Sequence, residues 1–478
     1  IIEGWVSPSR GRRQRFWQGE CRRSTLGLQN LCLRPREGLT HPSMIRRIHV
    51  LLLTCIRALV GCCNSDPPAK DPQIEQPVAS APTARPSRCQ PIGQDYWVGS
   101  RSPSSDDLDK ILPFATELGD GVAFDGGFAV GALSQQGQGT AFEIITTNRD
   151  GTAWRKISAG ASHGDADAPR VFSRGKTLGM AILEPSGSSR TLRLARIDRD
   201  QILWASEILQ DQDESLAYDV VIGKEVAVAV WDGVPKGRDV GAVFLATFDP
   251  TTFQKPSKPK VMTLPGTDAE MPRLLERSGG FWLFWLARRP GSPSDDSQYR
   301  AEDIDYRWIE ALPLDNRGAM TGTAVRLGPT DGHVLGFDVV SLQDDSAMVV
   351  WRDDDTPSGS PGGQLFMSRV RLGGVEGPER IDEEHTGVGA PNVMPGWFAI
   401  ADALGSTRLA PLSPDGKLTD KLLRESLLGS GEPIANHGND LFVSRPEGTA
   451  MRLFVARCLS TAIDGGSQDE EESRDAEP

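Results

Sequence analysis

One stretch, DADAPRV at residues 165–171, recurs as DAEMPRL at residues 268–274. A second stretch, LAYDVV at residues 216–221, recurs as LGFDVV at residues 335–340. The two pairs interleave along the chain, so each recurrence spans two units of roughly 50 to 60 residues. Strand-like units that repeat at this period are typical of a β-propeller.

Each unit follows the same order of elements. The recurring motif begins strand A, a short turn follows, and an apolar strand B contains a Trp near its end in several units, as at Trp231, Trp285 and Trp351. A variable loop leads to strand C, and a turn with Asp, Asn or Gly leads to strand D. The sequence therefore predicts an all-β protein, a β-propeller of about seven four-stranded blades. The predicted blades span residues 119–158, 168–209, 217–264, 271–327, 335–381 and 389–423, with a seventh from residue 432.

The last predicted blade lacks a fourth strand. Residues 111–118 have the pattern of a strand D, so we expect an N-terminal strand to complete the last blade and remove its exposed edge. Cys89 and Cys458 flank the repeats, and ring closure would bring them together. In an exported protein they are expected to form a disulfide, worth about 4 kcal/mol or more on the chain-entropy model. The alternative is two unpaired thiols.

Composition narrows the function classes. The 478 residues carry a net charge of −13, and the pI is about 5.1. Such an acidic chain is a poor candidate for nucleic-acid binding, which depends on Lys and Arg contacts to phosphates. The charge favours solubility and cationic partners instead.

The N-terminal region predicts export. Residues 1–43 are rich in Arg and are interpreted as upstream sequence, with Met44 as the start and residues 44–61 as a signal peptide. Leu59-Val60-Gly61-Cys62 resembles the lipobox of bacterial lipoproteins, which implies cleavage after Gly61 and lipidation of Cys62. Arg57 departs from that pattern, and an ordinary cleaved signal or a chance apolar stretch are the alternatives.

The remaining segments complete the predicted organisation. Residues 62–88 contain many prolines and are expected to form an extended tether, residues 89–460 the propeller, and residues 461–478 an acidic disordered tail. Together these features predict a monomeric, membrane-anchored lipoprotein of the periplasm and outer membrane or of the cell surface.

The repeats resemble the sialidase-like, Asp-box-related propeller repeats of bacterial exported proteins. The resemblance covers residues 119–458 and implies a fold but no chemistry. Residues 148–154, NRDGTAW, contain the Asp, Gly and Trp of the Asp box in altered spacing. The arginine triad and Tyr–Glu pair of sialidases cannot be placed. Residues 195–204 more weakly resemble quinoprotein-type propellers, which implies an outer-membrane assembly accessory lipoprotein.

The loops that lead into each strand A are acidic. In a propeller these loops share one face with the loops between strands B and C, so they would ring one mouth of the central channel. Carboxylates with an occasional imidazole can hold a divalent cation such as calcium. The alternative is a set of solvated polar turns. The candidate ligands are Asp165, Asp167, Asp268, Glu270, His333 and His385.

The loops between strands B and C are long in three consecutive blades, at residues 232–240, 287–306 and 352–363. Enlarged neighbouring loops predict a ligand-binding crescent. Its candidate residues are Asp353, Asp354, Asp355, Trp231 and Trp351. The two Trp side chains fit a packing role between blades equally well, because they recur at a fixed position of the repeat.

No catalytic residue is assigned, since the sequence contains no nucleophile elbow, phosphate-binding loop or dinucleotide fingerprint in its proper context. The sequence predicts a binding or scaffolding module for a protein or glycan partner, anchored to a membrane by lipid. The alternatives are a glycan-active hydrolase or lyase of the propeller type and the outer-membrane assembly accessory lipoprotein.

Overall fold

The computed structural model describes the repeat region of the chain. The described residues are 87–99, 116–124, 126–136, 139–162, 166–186, 189–209, 217–288, 306–329, 332–354, 363–381, 389–402, 404–448 and 450–459. The chain divides into two units, residues 14–85 and residues 1–13 with 86–478, and all described residues belong to the second. Cys62, with the predicted signal peptide and acidic tail, lies outside them.

The described elements are all β-strands, arranged as seven four-stranded antiparallel sheets. Blades 1 to 3 contain β2 (Thr116–Phe124), β3 (Gly127–Gln136), β4 (Gly139–Asn148) and β5 (Trp154–Ser162); β6 (Arg170–Arg174), β7 (Thr177–Ser186), β8 (Ser189–Asp198) and β9 (Gln201–Leu209); and β10 (Tyr218–Ile222), β11 (Ala227–Gly233), β12 (Ala242–Phe248) and β13 (Lys260–Val261).

Blades 4 to 7 continue the series and confirm the predicted seven-bladed propeller. They contain β14 (Asp268–Arg277), β15 (Gly280–Arg288), β16 (Arg307–Leu314) and β17 (Val325–Leu327); β18 (Val334–Ser341), β19 (Ala347–Asp353), β20 (Gln364–Arg371) and β21 (Gly374–Arg380); β22 (Asn392–Met394), β23 (Trp397–Ala401), β24 (Thr407–Pro411) and β25 (Leu423–Arg424); and β26 (Glu432–His437), β27 (Asp440–Glu447), β28 (Ala450–Cys458) and β1 (Cys89–Val98).

An N-terminal strand completes the last blade, as predicted, but it is a different strand from the one expected. β1 pairs with β28 and forms the outer edge of blade 7, in the order β1-β28-β27-β26. The prediction that residues 111–118 supply this strand is wrong, because Thr116 begins β2, the first strand of blade 1. Residues 111–115 lie outside the described residues.

Cys89 and Cys458 form the predicted disulfide. They begin β1 and end β28, where they are direct partners in the strand pairing, rather than lying outside the strands as expected. The loop they close spans a sequence separation of 369. Arg88 adds an ion pair with Asp420 at 2.8 Å between Nη2 and Oδ2, which ties the start of the closing strand to blade 6.

The core lies between neighbouring blades. The first strands of the blades contact one another around the axis, so they are the inner strands. Apolar side chains of successive blades interdigitate, as where Trp285 packs with Val228 and Val230 of the preceding blade. Because each apolar cluster is shared by two blades, the strength of the ring depends on packing at seven similar interfaces. None of the described residues forms a helix long and apolar enough to cross a membrane.

Candidate functional site

The upper face is defined here as the face formed by connections into each strand A and out of each strand B. Among the predicted site residues, Asp268, Glu270, His333, Asp353 and Asp354 lie on this face, in blades 4 and 5. Asp165, Asp355 and His385 lie outside the described residues.

Asp167 lies apart from this group, before strand β6 of blade 2. Its side chain is 57% exposed, and its Oδ2 lies 3.8 Å from Arg190 Nη1.

Upper-face carboxylates join one blade to the next. Asp232, at the end of β11, accepts a hydrogen bond from the backbone N–H of Ala217 at 2.7 Å and another from Met271 in blade 4 at 3.0 Å. Asp268 accepts a hydrogen bond from the N–H of Gly241 in blade 3 at 2.8 Å. These bonds satisfy backbone donors at two strand starts and at the bulge within β14, so the carboxylates stabilise the ring itself.

A related contact holds blade 5. The Asp353 carboxylate accepts a hydrogen bond from the backbone N–H of His333 at 2.7 Å. The next residue, Asp354, is buried and bonds to Arg352 Nε at 2.8 Å. Two of the three predicted ligand-binding acids are thus engaged at the start of blade 5, and Asp353 is the more exposed of the two.

The central channel contains an alternating series of charges on the inner strands. Arg170 of blade 2 lies between Asp120 of blade 1 and Asp219 of blade 3, at 3.1 and 3.3 Å. The Asp219 carboxylate also accepts a bond from the N–H of Leu274 in blade 4 at 2.8 Å. Burial raises the pKa of the neighbouring Tyr218, whose hydroxyl donates to the Ala181 carbonyl. These groups link four successive blades around the axis.

Blade 4 carries a polar cluster on the upper face. Asp268, Arg288 and Arg307 form a row across strands β14, β15 and β16, because Arg288 is the strand partner of both others. Arg288 Nε bonds to Asp268 Oδ2 at 2.6 Å. Glu270, which is only 6% exposed, lies with Oε2 3.6 Å from Arg288 Nη2 and Oε1 4.0 Å from Arg307 Nε.

A backbone irregularity positions Glu270. The pairing of β14 with β15 shifts between Glu270 and Arg273, and Met271 within this bulge has a positive φ of 55°. Residues other than glycine seldom adopt this backbone conformation. Bulges and strained residues concentrate next to functional sites. The bond from Met271 N–H to Asp232 holds the bulge in place.

His333 and Tyr306 lie beside this cluster. Their rings stack with centroids 5.3 Å apart, and a strand-like bridge joins His333 to Arg307. His333 is 8% exposed, and its buried Nδ1 has no hydrogen-bond partner among the described residues. We define Glu270, Arg288, Tyr306, Arg307 and His333 as the blade 4 cluster.

The described residues fit the predicted divalent cation poorly. Calcium needs six to eight oxygen ligands, whereas the oxygens of Asp268 bond to Gly241 N–H and Arg288, and Glu270 faces two guanidinium groups. Within the described ranges no three His, Cys, Asp or Glu side chains are grouped as metal ligands would be.

The two predicted aromatic residues of the crescent are buried. Trp231 packs against Tyr218 and other side chains between blades 2 and 3, and Trp351 packs between blades 4 and 5. Burial supports the packing interpretation that the sequence left open. The aromatic ring that accompanies the polar cluster is Tyr306, which is partly exposed.

Sequence analysis did not identify Arg288, Arg307 or Tyr306. The 289–305 segment separates Arg288 from Tyr306 in the sequence, and only strand pairing brings the two arginines opposite each other. The long loop between strands B and C of blade 4 was the available signal, since its two ends carry these residues.

Comparisons with known proteins concern the fold. No family model matches the sequence, and no curated protein matches it. The β-propeller domain of the Trilobed protease from Pyrococcus furiosus is similar with a TM-score of 0.42 at 13% identity, over 72% of this chain and 94% of that chain.

Two other solved structures belong to the same set of matches. An α-L-arabinofuranosidase from Fusarium graminearum has a TM-score of 0.42 at 11% identity, over 78% of this chain and 99% of that chain. An α-L-arabinanase from Penicillium chrysogenum, complexed with arabinobiose, has a TM-score of 0.38 at 14% identity, over 75% and 96%. These are likenesses of fold at low identity, and they identify no ligand.

Proposed function

We propose that the protein is an exported, lipid-anchored β-propeller that acts as a binding or scaffolding module for a protein or glycan, and that the upper face takes the ligand. The observation that carries this proposal is that the upper-face carboxylates hold the backbone of this face in place. Asp268 and Asp353 accept backbone N–H bonds just before strands begin, and Asp232 accepts one from the bulge of β14; the bonds to Asp232 and Asp268 come from a neighbouring blade. A surface fixed in this way loses little conformational entropy when it binds.

The disulfide supports the proposed compartment. Disulfides persist in oxidising environments outside the cytoplasm. The bond between Cys89 and Cys458 closes nearly the whole propeller, so it stabilises the fold as a unit. Export through the predicted signal peptide and anchoring through Cys62 are consistent with this chemistry.

A glycan-active hydrolase or lyase is the alternative. Hydrolysis of a glycosidic bond usually needs two carboxyl groups, one of which donates a proton. Asp268 and Glu270 are two carboxylates of the described upper face in one strand, and both contact Arg288. Because these carboxylates have cationic partners, we favour binding without turnover.

Face-selective crosslinking in the native membrane tests the proposal. Two exposed apolar residues of the upper face, Leu264 and Leu404, are replaced one at a time by a photo-crosslinking amino acid in the full-length chain. Met320 and Leu372, which lie in turns between strands C and D on the opposite face, are the matched controls. Their exposed fractions are 76%, 69%, 57% and 65%, respectively, so all four probes reach solvent.

Adducts at Leu264 or Leu404, with none at the control positions, are the expected result. Adducts confined to Met320 or Leu372 would place the ligand on the other face and overturn the proposal. Release of reducing ends from purified cell-envelope polysaccharides by the full-length protein, if abolished by Glu270→Gln, would favour the hydrolase instead.

A further inference from the structure

We infer that the lower face of the propeller is a membrane-docking surface, which binds the anionic headgroups of phospholipids. The lower face is the one opposite the upper face, and it is formed by the turns between strands A and B and between strands C and D. The inference rests on the membrane anchoring that is part of the proposed function. It assigns a second surface and leaves the ligand of the upper face as proposed.

The connection between β12 and β13 of blade 3 displays three lysines on the lower face. Lys255, Lys258 and Lys260 are all exposed, and Lys260 is the first residue of β13. We define residues 249–260 as the lysine loop. Its three lysines and the single carboxylate of Asp249 give a formal charge of +2, in a chain whose net charge is −13. The lysine loop is therefore a local basic surface on an acidic protein.

The backbone of the lysine loop is anchored to the blades. Phe253 is fully buried and packs edge-on against Phe172 of blade 2, with ring centroids 5.3 Å apart. The Asp249 carboxylate accepts hydrogen bonds from the backbone N–H groups of Thr251 and Thr252 at 3.0 and 2.7 Å. A loop held in this way loses little backbone entropy when its exposed side chains bind a surface.

Exposed apolar side chains lie in the neighbouring turns of the lower face. Thr247 of β12 exchanges hydrogen bonds with Ser257 of the lysine loop at 2.8 and 2.9 Å. A Cβ atom at Gly318 of blade 4 would lie 3.0 Å from Thr247 Cγ2, so the turn of blade 4 packs beside the lysine loop. This turn exposes Met320, and the corresponding turn of blade 5 exposes Leu372. Cations beside exposed apolar side chains suit the interface of a bilayer.

The other charged groups of the blade 4 turn are paired within the protein. Asp315 accepts hydrogen bonds from the backbone N–H groups of Arg317 and Ala319, both at 2.8 Å. Arg317 Nε lies 3.2 Å from Glu225 of blade 3. The lysine loop therefore supplies the positive charge of this part of the lower face.

The net negative charge of the chain does not prevent docking, because the two faces are far apart. Strand β12 has seven residues, which corresponds to a length of about 23 Å. Electrostatic interactions in physiological salt are screened over about 8 Å. Charges on the upper face are thus weak at the lower face, whereas each lysine next to an anionic membrane strengthens binding about fivefold.

The first described residues lie on the same face. Arg88, just before the closing strand β1, pairs with Asp420 in the turn between strands C and D of blade 6, and its N–H bonds to Glu425 at 3.2 Å. The predicted lipidated residue, Cys62, precedes Ser87 by 25 residues, a length that can span about 80 Å. An anchor that enters at the lower face allows this face to contact the membrane while the upper face remains open to its ligand.

Photo-crosslinking to lipid tests the inference with the full-length protein. A photo-crosslinking amino acid replaces either Met320 on the lower face or Leu264 on the upper face. The protein is added to vesicles of equal parts phosphatidylglycerol and phosphatidylcholine. Lipid capture at Met320 should exceed capture at Leu264 by at least about tenfold, and it should fall by a similar factor on vesicles of phosphatidylcholine alone.

Substitutions of the lysines test their role in the protein that carries the probe at Met320. The triple variant Lys255→Gln/Lys258→Gln/Lys260→Gln should capture at least about tenfold less phosphatidylglycerol, and Lys258→Gln alone should capture about fivefold less. Lys236→Gln is the matched control, because it removes one exposed lysine from the upper face of the same blade. Its lipid capture should stay within about twofold of the parent. Thermal unfolding of each variant checks folding.

Three results would overturn the inference: equal lipid capture at Met320 and Leu264, equal capture on phosphatidylcholine alone, or undiminished capture by the triple variant. Protein adducts in place of lipid at Met320 in native membranes would assign this face to a protein partner and would also reject it. Sedimentation of the protein with vesicles, combined with any of these results, would leave the anchoring standing and reject only the docking surface. Loss of both would reject the anchoring as well.

The ligand of the upper face is tested separately. Adducts with protein or glycan at Leu264 or Leu404 report that ligand, and lipid adducts at Met320 differ from them in chemistry. Failure of the docking surface therefore leaves the proposed binding function of the upper face standing.

Discussion

The carboxylate of Asp232 joins blade 3 to blade 4 by accepting the backbone N–H of Met271 at 3.0 Å. Its second oxygen accepts the N–H of Ala217 at 2.7 Å in its own blade, and the side chain is almost fully buried. One side chain thus fixes the start of strand A in blade 3 and the bulge that positions Glu270 in blade 4.

Replacing Asp232 by Ala should destabilise the propeller. Two buried N–H groups would lose their acceptor, and each unsatisfied donor costs about 1–3 kcal/mol. We expect the free energy of unfolding, measured by urea denaturation, to fall by at least about 2 kcal/mol. Glu207→Gln is the control, because Glu207 is an exposed carboxylate of strand β9. Equal stability of the two variants would show that Asp232 does not join the blades.

Removing the disulfide should weaken the ring without changing its fold. The bond closes a loop with a sequence separation of 369, for which the chain-entropy model gives a stabilisation on the order of 5 kcal/mol. The double variant Cys89→Ser/Cys458→Ser should therefore unfold at a lower urea concentration than the oxidised parent, and the reduced parent should resemble the variant. An unchanged midpoint would mean that pairing of β1 with β28 alone closes the ring.

Gly131 is required by the close approach of blades 1 and 2. A Cβ atom at this position would lie 1.9 Å from the backbone oxygen of Pro169, far inside the normal contact distance. Gly131→Ala should destabilise the propeller by about 1–3 kcal/mol, the usual cost of overpacking a core. Gly373→Ala is the matched control, since a Cβ there meets nothing within 4 Å. Thermal unfolding of both variants should show a loss for Gly131→Ala alone.

Asp440 should make stability depend on acid pH. Two effects act on the pKa of this carboxyl. Burial alone would raise it, but the hydrogen bonds from Arg457 and Arg149 lower it by more, so the pKa lies below its ordinary value. A lowered pKa in the folded state contributes stability above the unfolded pKa of about 3.9, and this contribution is lost as pH falls through the folded pKa.

Urea denaturation between pH 6 and pH 2.5 measures this dependence. Asp440→Asn should be less stable than the parent near pH 6 and should lose less stability below about pH 4. Parallel curves for the two proteins at all pH values would contradict the assigned ion pairs with Arg457 and Arg149.

The repeat pattern predicted the inner and central strands because those strands pack against the neighbouring blade in the same way in each unit. Tyr218 and Phe337 occupy equivalent inner positions, and Trp231 and Trp351 are their direct strand partners. The same pair of positions must fill the space between blades in each unit, so the sequences recur.

The closing strand was missed because it does not share this pattern. Gly93 in β1 has a φ of 71°, and a Cβ there would lie 2.0 Å from the Asp150 backbone oxygen of blade 1. The pairing with β28 shifts between Ile92 and Tyr96 at this point. A strand interrupted by a glycine and a bulge lacks the alternation by which sequence analysis identifies strands.

The ion-pair partners of the upper-face and channel carboxylates could not be predicted for a different reason. Ion pairs depend on neighbours in three dimensions, such as Arg170 between Asp120 and Asp219, which belong to three separate blades. The acidic loops were visible in the sequence, but their partners were not. When the carboxylates are recognised and their arginine partners are not, the carboxylates suggest a cation site.

The central claim is that the upper-face carboxylates bond to arginines and backbone N–H groups. Thermal unfolding of the full-length protein with calcium, magnesium, zinc or EDTA tests it most directly. If the acids bond to arginines and backbone N–H groups, as at Asp268, the melting temperature should be the same in all four conditions. A ligand that binds only the folded state raises this temperature by mass action. A saturable rise with one cation, abolished by Asp268→Asn or Glu270→Gln, would contradict the account and establish a metal site on the upper face.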